Sequence, residues 1–369
     1  MTAILGAALL VAAGWTSSSD HAPGSERASS QVTAVPRLGG STIAVAATRE
    51  AVWVLTCARA CSGGRVSSGQ LVELASRSGR VIKRFPVADP QALALGYGAL
   101  WIAHFRTGAV TRVDPANGRT TASLQLTLPR PIVVVGNGES GRRGHDAAPC
   151  SPVACSDPRV YRLYAFLPSS IRTGGGEVWV STARGWIAEI DPRTSKLVAM
   201  VPSPSEDNAT VAESHGTWVA EDLDGVGFIE HGSRRLTLHA ISEAGQSVAV
   251  SQLVSGGGLI WAYGTFLNPA YPAHGELNSS VVTAIDPRTG EIVHQQQFAY
   301  AADAIVYGAG GLYVADFGNG LLFRIGADFR VQTLRSLRGP ENLVAATPGA
   351  LWATTASGRL LRLALPIPP

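Results

Sequence analysis

The feature that most constrains this chain is an internal phrase that recurs along it. Gly98-Ala99-Leu100-Trp101-Ile102-Ala103, followed by Val113-Asp114-Pro115, returns as Glu177-Val178-Trp179-Val180-Ser181 with Ile190-Asp191-Pro192-Arg193-Thr194. It returns again as Leu259-Ile260-Trp261-Ala262 with Ile285-Asp286-Pro287-Arg288-Thr289-Gly290. Used as a register mark, its aromatic residue picks out Trp53, Trp101, Trp179, Trp218, Trp261, Tyr313 and Trp352, and so defines seven units. Where no insertion intervenes the spacing is roughly forty residues, the period of four-stranded propeller blades rather than of helical repeats. Composition agrees: Gly at 41, Pro at 22, Met at 2 and only 15% charged residues suit short strands joined by tight turns. The expected fold is all-β, a seven-bladed β-propeller of four-stranded blades.

Each unit follows one grammar: strand a, a turn, strand b carrying the aromatic, a loop, strand c, a tight turn, strand d. In the first unit these are residues 43–47, 52–56, 70–75 and 80–87. The Asp-Pro phrases fall between c and d. There Asp accepts hydrogen bonds from the backbone two residues on, Pro sets φ, and Gly or Asn supplies a positive φ, so Asp114, Asp191 and Asp286 are turn residues rather than catalytic carboxylates. The tryptophans are expected to pack between blades. The last unit, residues 343–346, 350–355 and 359–365, stops after its third strand at Pro366. Residues 31–38 read as a strand d, and pairing them with the last blade removes two open edges, so the N-terminal strand is expected to close the ring.

Before the repeats, residues 1–15 are apolar and the right length for the core of a signal peptide, although no basic segment precedes them; Val11-Ala12-Ala13 offers a small-residue cleavage site. Trp15 stands where a lipoprotein cysteine would be needed. Residues 16–30 read as a disordered linker, and 31–369 as the propeller, with an insertion at about 127–168 between blades 2 and 3. Cys57, Cys61, Cys150 and Cys155 form two close pairs in Gly-, Ser- and Pro-rich surroundings. Four cysteines allow three disulfide connectivities, of which sequence-adjacent pairing is the simplest; neither pair has zinc-site spacing. Disulfides and an export signal point together to a secreted or extracytoplasmic protein. The net charge of +3 is scattered singly, without the basic stripe of a nucleic-acid binder. No membrane contact is expected beyond the export signal, and a monomer is expected.

Leu312-Tyr313-Val314-Ala315-Asp316-Phe317-Gly318-Asn319-Gly320 resembles an NHL-repeat core, and the Ile-Asp-Pro-x-Thr-Gly turns resemble the YVTN and virginiamycin B lyase-like propellers. The resemblance covers residues 31–365 and implies a propeller; it specifies function weakly, because one scaffold hosts unrelated activities. In the lyase-like repeats the strand b phrase is Trp-Phe-Thr-Glu, and His and Glu around the channel supply acid, base and metal chemistry. Here the phrase lacks the Phe and has Glu once, at Glu221.

In such blades the d-to-a and b-to-c loops share one face. The long excursions, residues 57–69, about 127–168 and 264–279, all fall there, which makes it the expected binding face. Two sets of positions line its mouth. Ten residues before the mark stand Gln91, Ser169, Asn208, Ser251, Asp303 and Asn342, with Thr42 one step away. Three residues after it stand Thr56, His104, Thr182, Glu221, Gly264, Asp316 and Thr355. Gln91, Asn208, Asp303, Asn342, His104, Glu221 and Asp316 are the candidate ligand-binding residues, and no catalytic residue is assigned. The expected function is non-catalytic binding of a protein, peptide or glycan on the decorated face. The alternative is a channel-mouth lyase or lactone-hydrolase-type enzyme using His104, Glu221 and Asp316, with a divalent cation the one cofactor implied. Glu221-Asp222-Leu223-Asp224-Gly225 is too short for an EF-hand loop, the Gly-Gly-Gly runs lie between strands rather than before a helix, and no serine has a G-x-S-x-G context.

Overall fold

The computed structural model describes residues 32–36, 38–58, 68–134, 161–165, 167–182, 185–204, 209–221, 225–243, 245–266, 280–299, 302, 304–316, 318–336, 342–355 and 357–365. Among them there is no helix. Seven antiparallel sheets follow one another with their strands in chain order from the centre outwards, and the innermost strands of successive sheets touch all the way round. This is the expected seven-bladed β-propeller. Blade 1 comprises Ser41–Ala47, Ala51–Cys57, Ser68–Ala75 and Val81–Ala88. Blade 3 comprises Pro168–Gly174, Glu177–Thr182, Trp186–Asp191 and Lys196–Pro202. Blade 7 takes three strands from the end of the described chain, Asn342–Thr347, Ala350–Thr354 and Leu360–Ala364, and its outermost strand, Val32–Ala34, from the beginning. Val32 lies opposite Leu363 and Ala34 opposite Leu361, so the expected closure is present. The insertion after blade 2 opens and closes with a ribbon in which Thr127–Val134 pairs antiparallel with Tyr161–Ala165.

The core is divided by blade interface. The described residues form seven buried apolar clusters, one between each pair of adjacent blades, and each holds one aromatic of the repeat. Trp101, Trp179, Trp218 and Trp352 are among the largest fully buried side chains, and Trp53, Trp261 and Tyr313 are nearly so. Trp101 and Trp261 also donate their Nε1–H to the carbonyls of Gly96 and Gly256, five residues back in the a-to-b turn. In blades 2 and 5 the aromatic therefore fixes its own hairpin while filling the gap to the next blade. Two of the glycines ending inner strands are required by close approach: a methyl on Gly96 would overlap Thr173, and one on Gly256 would overlap the Tyr307 ring, each belonging to the next blade.

The Asp-Pro turns are built as their chemistry requires. Asp114 accepts from the Ala116 N–H at 2.8 Å, Asp191 from Arg193 at 2.8 Å and Asp286 from Arg288 at 2.8 Å. Positive φ is supplied by Gly118 and Gly290, and in blade 3 by Ser195. The bonds from Thr194 to Asp191 and from Arg288 to Asp286 hold both carboxyls below the usual range.

Closure rests on a three-residue strand whose sequel, Val35 and Leu38, is buried against Trp352 and Leu360. Deleting residues 32–36 removes Val35 from that cluster and bares the Leu360–Ala364 edge. The expected result is a loss of about 3–5 kcal/mol in urea unfolding, with oligomers on size exclusion from edge pairing.

Candidate functional site

The long connections join strand ends at one face of the disc. The strand bounds leave residues 58–67, 135–160 and 267–279 as excursions at the b-to-c and d-to-a ends, whereas on the opposite face no connection exceeds six residues, the longest being 114–119, 231–236 and 286–291. Cys57 ends strand b of blade 1 at the root of the first excursion, where it is buried and disulfide-bonded. Cys61, Cys150 and Cys155 lie outside the described residues, as do Asn208 and Asp303.

The remaining candidates are placed as follows. Gln91 occupies a β-bulge at the upper end of its inner strand, between Pro90, opposite His104, and Ala92, opposite Ala103. Ser169 and Ser251, the same position in blades 3 and 5, are bulged likewise. A bulge inserts a residue that pairs with nothing and turns its side chain out of the regular alternation. Asn342 starts the inner strand of blade 7, opposite Thr354, and is exposed.

The upper ends of the b strands are occupied differently. His104 Nδ1 lies 2.8 Å from the Ala88 carbonyl and Nε2 lies 2.8 Å from Thr111 Oγ1, so both ring nitrogens are engaged. Glu221, 1% exposed, accepts from Ser203 Oγ at 2.8 Å. Ala88 ends the outermost strand of the blade before that of His104, and Ser203 directly follows the outermost strand of the blade before that of Glu221. His104 and Glu221 therefore brace the crossover from the preceding blade. Asp316 is also buried and accepts from Asn319 N at 3.0 Å and Asn319 Nδ2 at 2.8 Å, closing its own b-to-c turn. One of its sides faces a groove between blades 5 and 6, lined by Phe298, Phe323 and Phe329. His104, Glu221 and Asp316 come from alternate blades, and the partners described for each are local.

Two features escaped the sequence. On the short-loop face, Glu177 and Glu189 of blade 3 meet His231 of blade 4. Glu189 is fully buried; its carboxylate bonds His231 Nδ1 and accepts from the Gly232 N–H at 3.2 Å, while His231 Nε2 lies 3.6 Å from Glu177. Burial of an unpaired carboxylate is costly, and His231 with the Gly232 amide offsets that cost. Nothing in the sequence flags this cluster, since its members contact only across a blade boundary. The second feature is the wall of the central channel, at the level of the residue seven positions before each aromatic, which the pairing of strand a with strand b reveals.

Burial, foremost, and repulsion from Glu189 and Asp191 push the Glu177 carboxyl above its usual range against the opposing pull of His231 and Arg193. A folded-state value above the unfolded one means that this group favours the fold while protonated, and that stability falls as pH rises from about 4.5 through the raised value. Glu177→Gln is expected to flatten that segment of the stability profile and to raise the urea midpoint at neutral pH.

Comparison with known proteins places the fold. A family model described as strictosidine synthase-like, N-terminal, matches residues 327–363, from the end of blade 6 through blade 7. No curated protein sequence matches the chain. Among solved structures, a streptogramin B lyase superposes with a TM-score of 0.60 at 14% identity over 91% of this chain and 98% of that one. A virginiamycin B lyase from Staphylococcus aureus gives 0.58 at 14% identity over 91% and 99%. A chain of the mitotic checkpoint complex gives 0.60 at 10% identity over 97% and 99%. At these identities the likeness is one of fold, and the chain is a seven-bladed β-propeller similar in architecture to the streptogramin B lyases.

Proposed function

We propose that this chain is an exported, non-catalytic propeller that binds a protein, peptide or glycan on the face carrying its long connections. The observation that carries the reading is the asymmetry of the disc: connections of ten, twenty-six and thirteen residues, 58–67, 135–160 and 267–279, leave from and return to strand ends at one face, whereas the strands at the other face are joined by turns of six residues or fewer. A rigid ring concentrates recognition on such loops. Propellers similar in fold include one in the mitotic checkpoint complex, an assembly of several proteins by its name.

Export is supported by the apolar leader and by the disulfide of Cys57 at the base of the first excursion. Pairing of Cys57 with Cys61 and of Cys150 with Cys155 would stiffen two of the three excursions and lower the entropy lost on binding. The enzymatic alternative has less in its favour, because both nitrogens of His104 are spent within the fold and the carboxylates of Glu221 and Asp316 accept local hydrogen bonds.

The test is a peptide and glycan array read with the full chain and with a variant in which residues 135–160 are replaced by a short Gly-Ser link. Binding by the parent, weakened about tenfold or more in the shortened variant at an unchanged melting temperature, is expected; tenfold corresponds to about 1.4 kcal/mol of recognition energy. A silent array, or a ligand held equally well without the excursion, would sink the reading.

A further inference from the structure

The central channel carries an inference of its own, independent of what binds on the loop face. Its walls are the seven inner strands, which enclose a segment of about 350 Å³. At one level each inner strand presents the residue directly opposite the repeat aromatic. In six blades that residue is small or branched and apolar: Ala46, Ala94, Val211, Val254, Val306 and Ala345. In blade 3 it is Arg172, opposite Trp179.

The other blades serve as six internal controls. Each builds the same hairpin around the same aromatic with Ala or Val at this level, so the fold does not require a cation there. Arg172 also lacks the partner that a structural arginine would have. Its one described hydrogen bond runs from a terminal guanidinium nitrogen to the neighbouring Ile171 carbonyl at 2.9 Å, and no carboxylate among the described residues pairs with it. Glu213, at the lower end of the next inner strand, is engaged instead with Ser255. Arg172 is reached by channel solvent, yet protein surrounds it, and this desolvation alone drives its guanidinium pKa below the usual value. Four of its five N–H donors thus have no protein acceptor among the described residues and face the channel, whose lining side chains are mostly Ala, Val and Leu. A cation left without a protein partner among aliphatic side chains is available to an anion that enters the channel.

We propose that the channel is a binding site for an organic monocarboxylate with an apolar body, held through its carboxylate by Arg172. The guanidinium fork matches a carboxylate with two parallel hydrogen bonds. The Ala and Val side chains at the same level, with Val45 and Leu93 beside them, would cover the aliphatic part. The volume is at the small end of the range for ligand sites. Glu213 near the lower end disfavours more highly charged anions, since a second negative charge would meet it without a second cation.

Sodium octanoate and its uncharged counterpart octanamide test the assignment by calorimetric titration of the full chain, alongside Arg172→Val and Arg172→Lys. The expected result is saturable octanoate binding to the parent, with octanamide weaker by about tenfold or more, as loss of a charged hydrogen bond predicts. Arg172→Val should melt at or above the parent temperature and bind octanoate at least about tenfold more weakly, with Arg172→Lys between them because it keeps the charge and loses the fork. Octanoate failing to bind the parent, binding no better than octanamide, or binding Arg172→Val as well as the parent would overturn the proposal. A large drop in melting temperature for Arg172→Val would overturn it too, by making Arg172 a structural residue.

Discussion

The structure depends on one contact repeated seven times: an aromatic side chain leaving the second strand of one blade and filling the space before the next. A four-stranded antiparallel sheet has two apolar faces and no interior, so a blade alone cannot exclude water from either. The interface clusters turn that defect into cohesion. Most of the buried apolar residues belong to a boundary, and each boundary is shared. Stability is therefore a property of the ring, because one open boundary bares two faces and two sheet edges together.

The boundaries are unequal. Among the described residues, the cluster between blades 3 and 4 has the fewest buried apolar members, Trp179, Ile187, Val201, Val219 and Ile229. This boundary is also the one crossed by the bond from His231 to Glu189. Blade 3 departs from the repeat on its inner side as well, with Arg172 in place of an aliphatic residue. It follows the largest insertion and takes the left-handed position of its Asp-Pro turn with Ser195 instead of glycine. The repeat is least regular in this sector, where side chains are chosen for something other than filling space.

Most of the fold was legible because it is written in periodic signals. The aromatic mark counts blades, Asp-Pro locates the c-to-d turns, and a final unit short of one strand points to closure by residues 31–38. Legibility ended where contacts cross between units. Counting ten back from the mark reached Gln91, Ser169 and Ser251, but their bulges arise from backbone pairing that alternation alone does not reveal. Counting three forward reached His104 and Glu221, but not the Ala88 carbonyl and Ser203 hydroxyl, sixteen and eighteen residues away, that occupy them. The count that isolates Arg172, seven back, needed the register of strand a against strand b, since only pairing shows which residue shares a level with the aromatic.

Closure by Val32–Ala34 also has a kinetic side. This strand is the first described stretch of the chain to be made, and its sheet partner among the described residues, Leu360–Ala364, is the last described strand. For the whole of synthesis the leading segment has no neighbour to pair with, and six blades can form before it docks. The pairing with the greatest sequence separation in the molecule is thus its final assembly step, and the loop to be closed is nearly the full chain length. Until then the nascent disc has two adhesive edges, and the risk of joining a second copy is concentrated in the interval between the appearance of the sixth blade and the completion of the seventh.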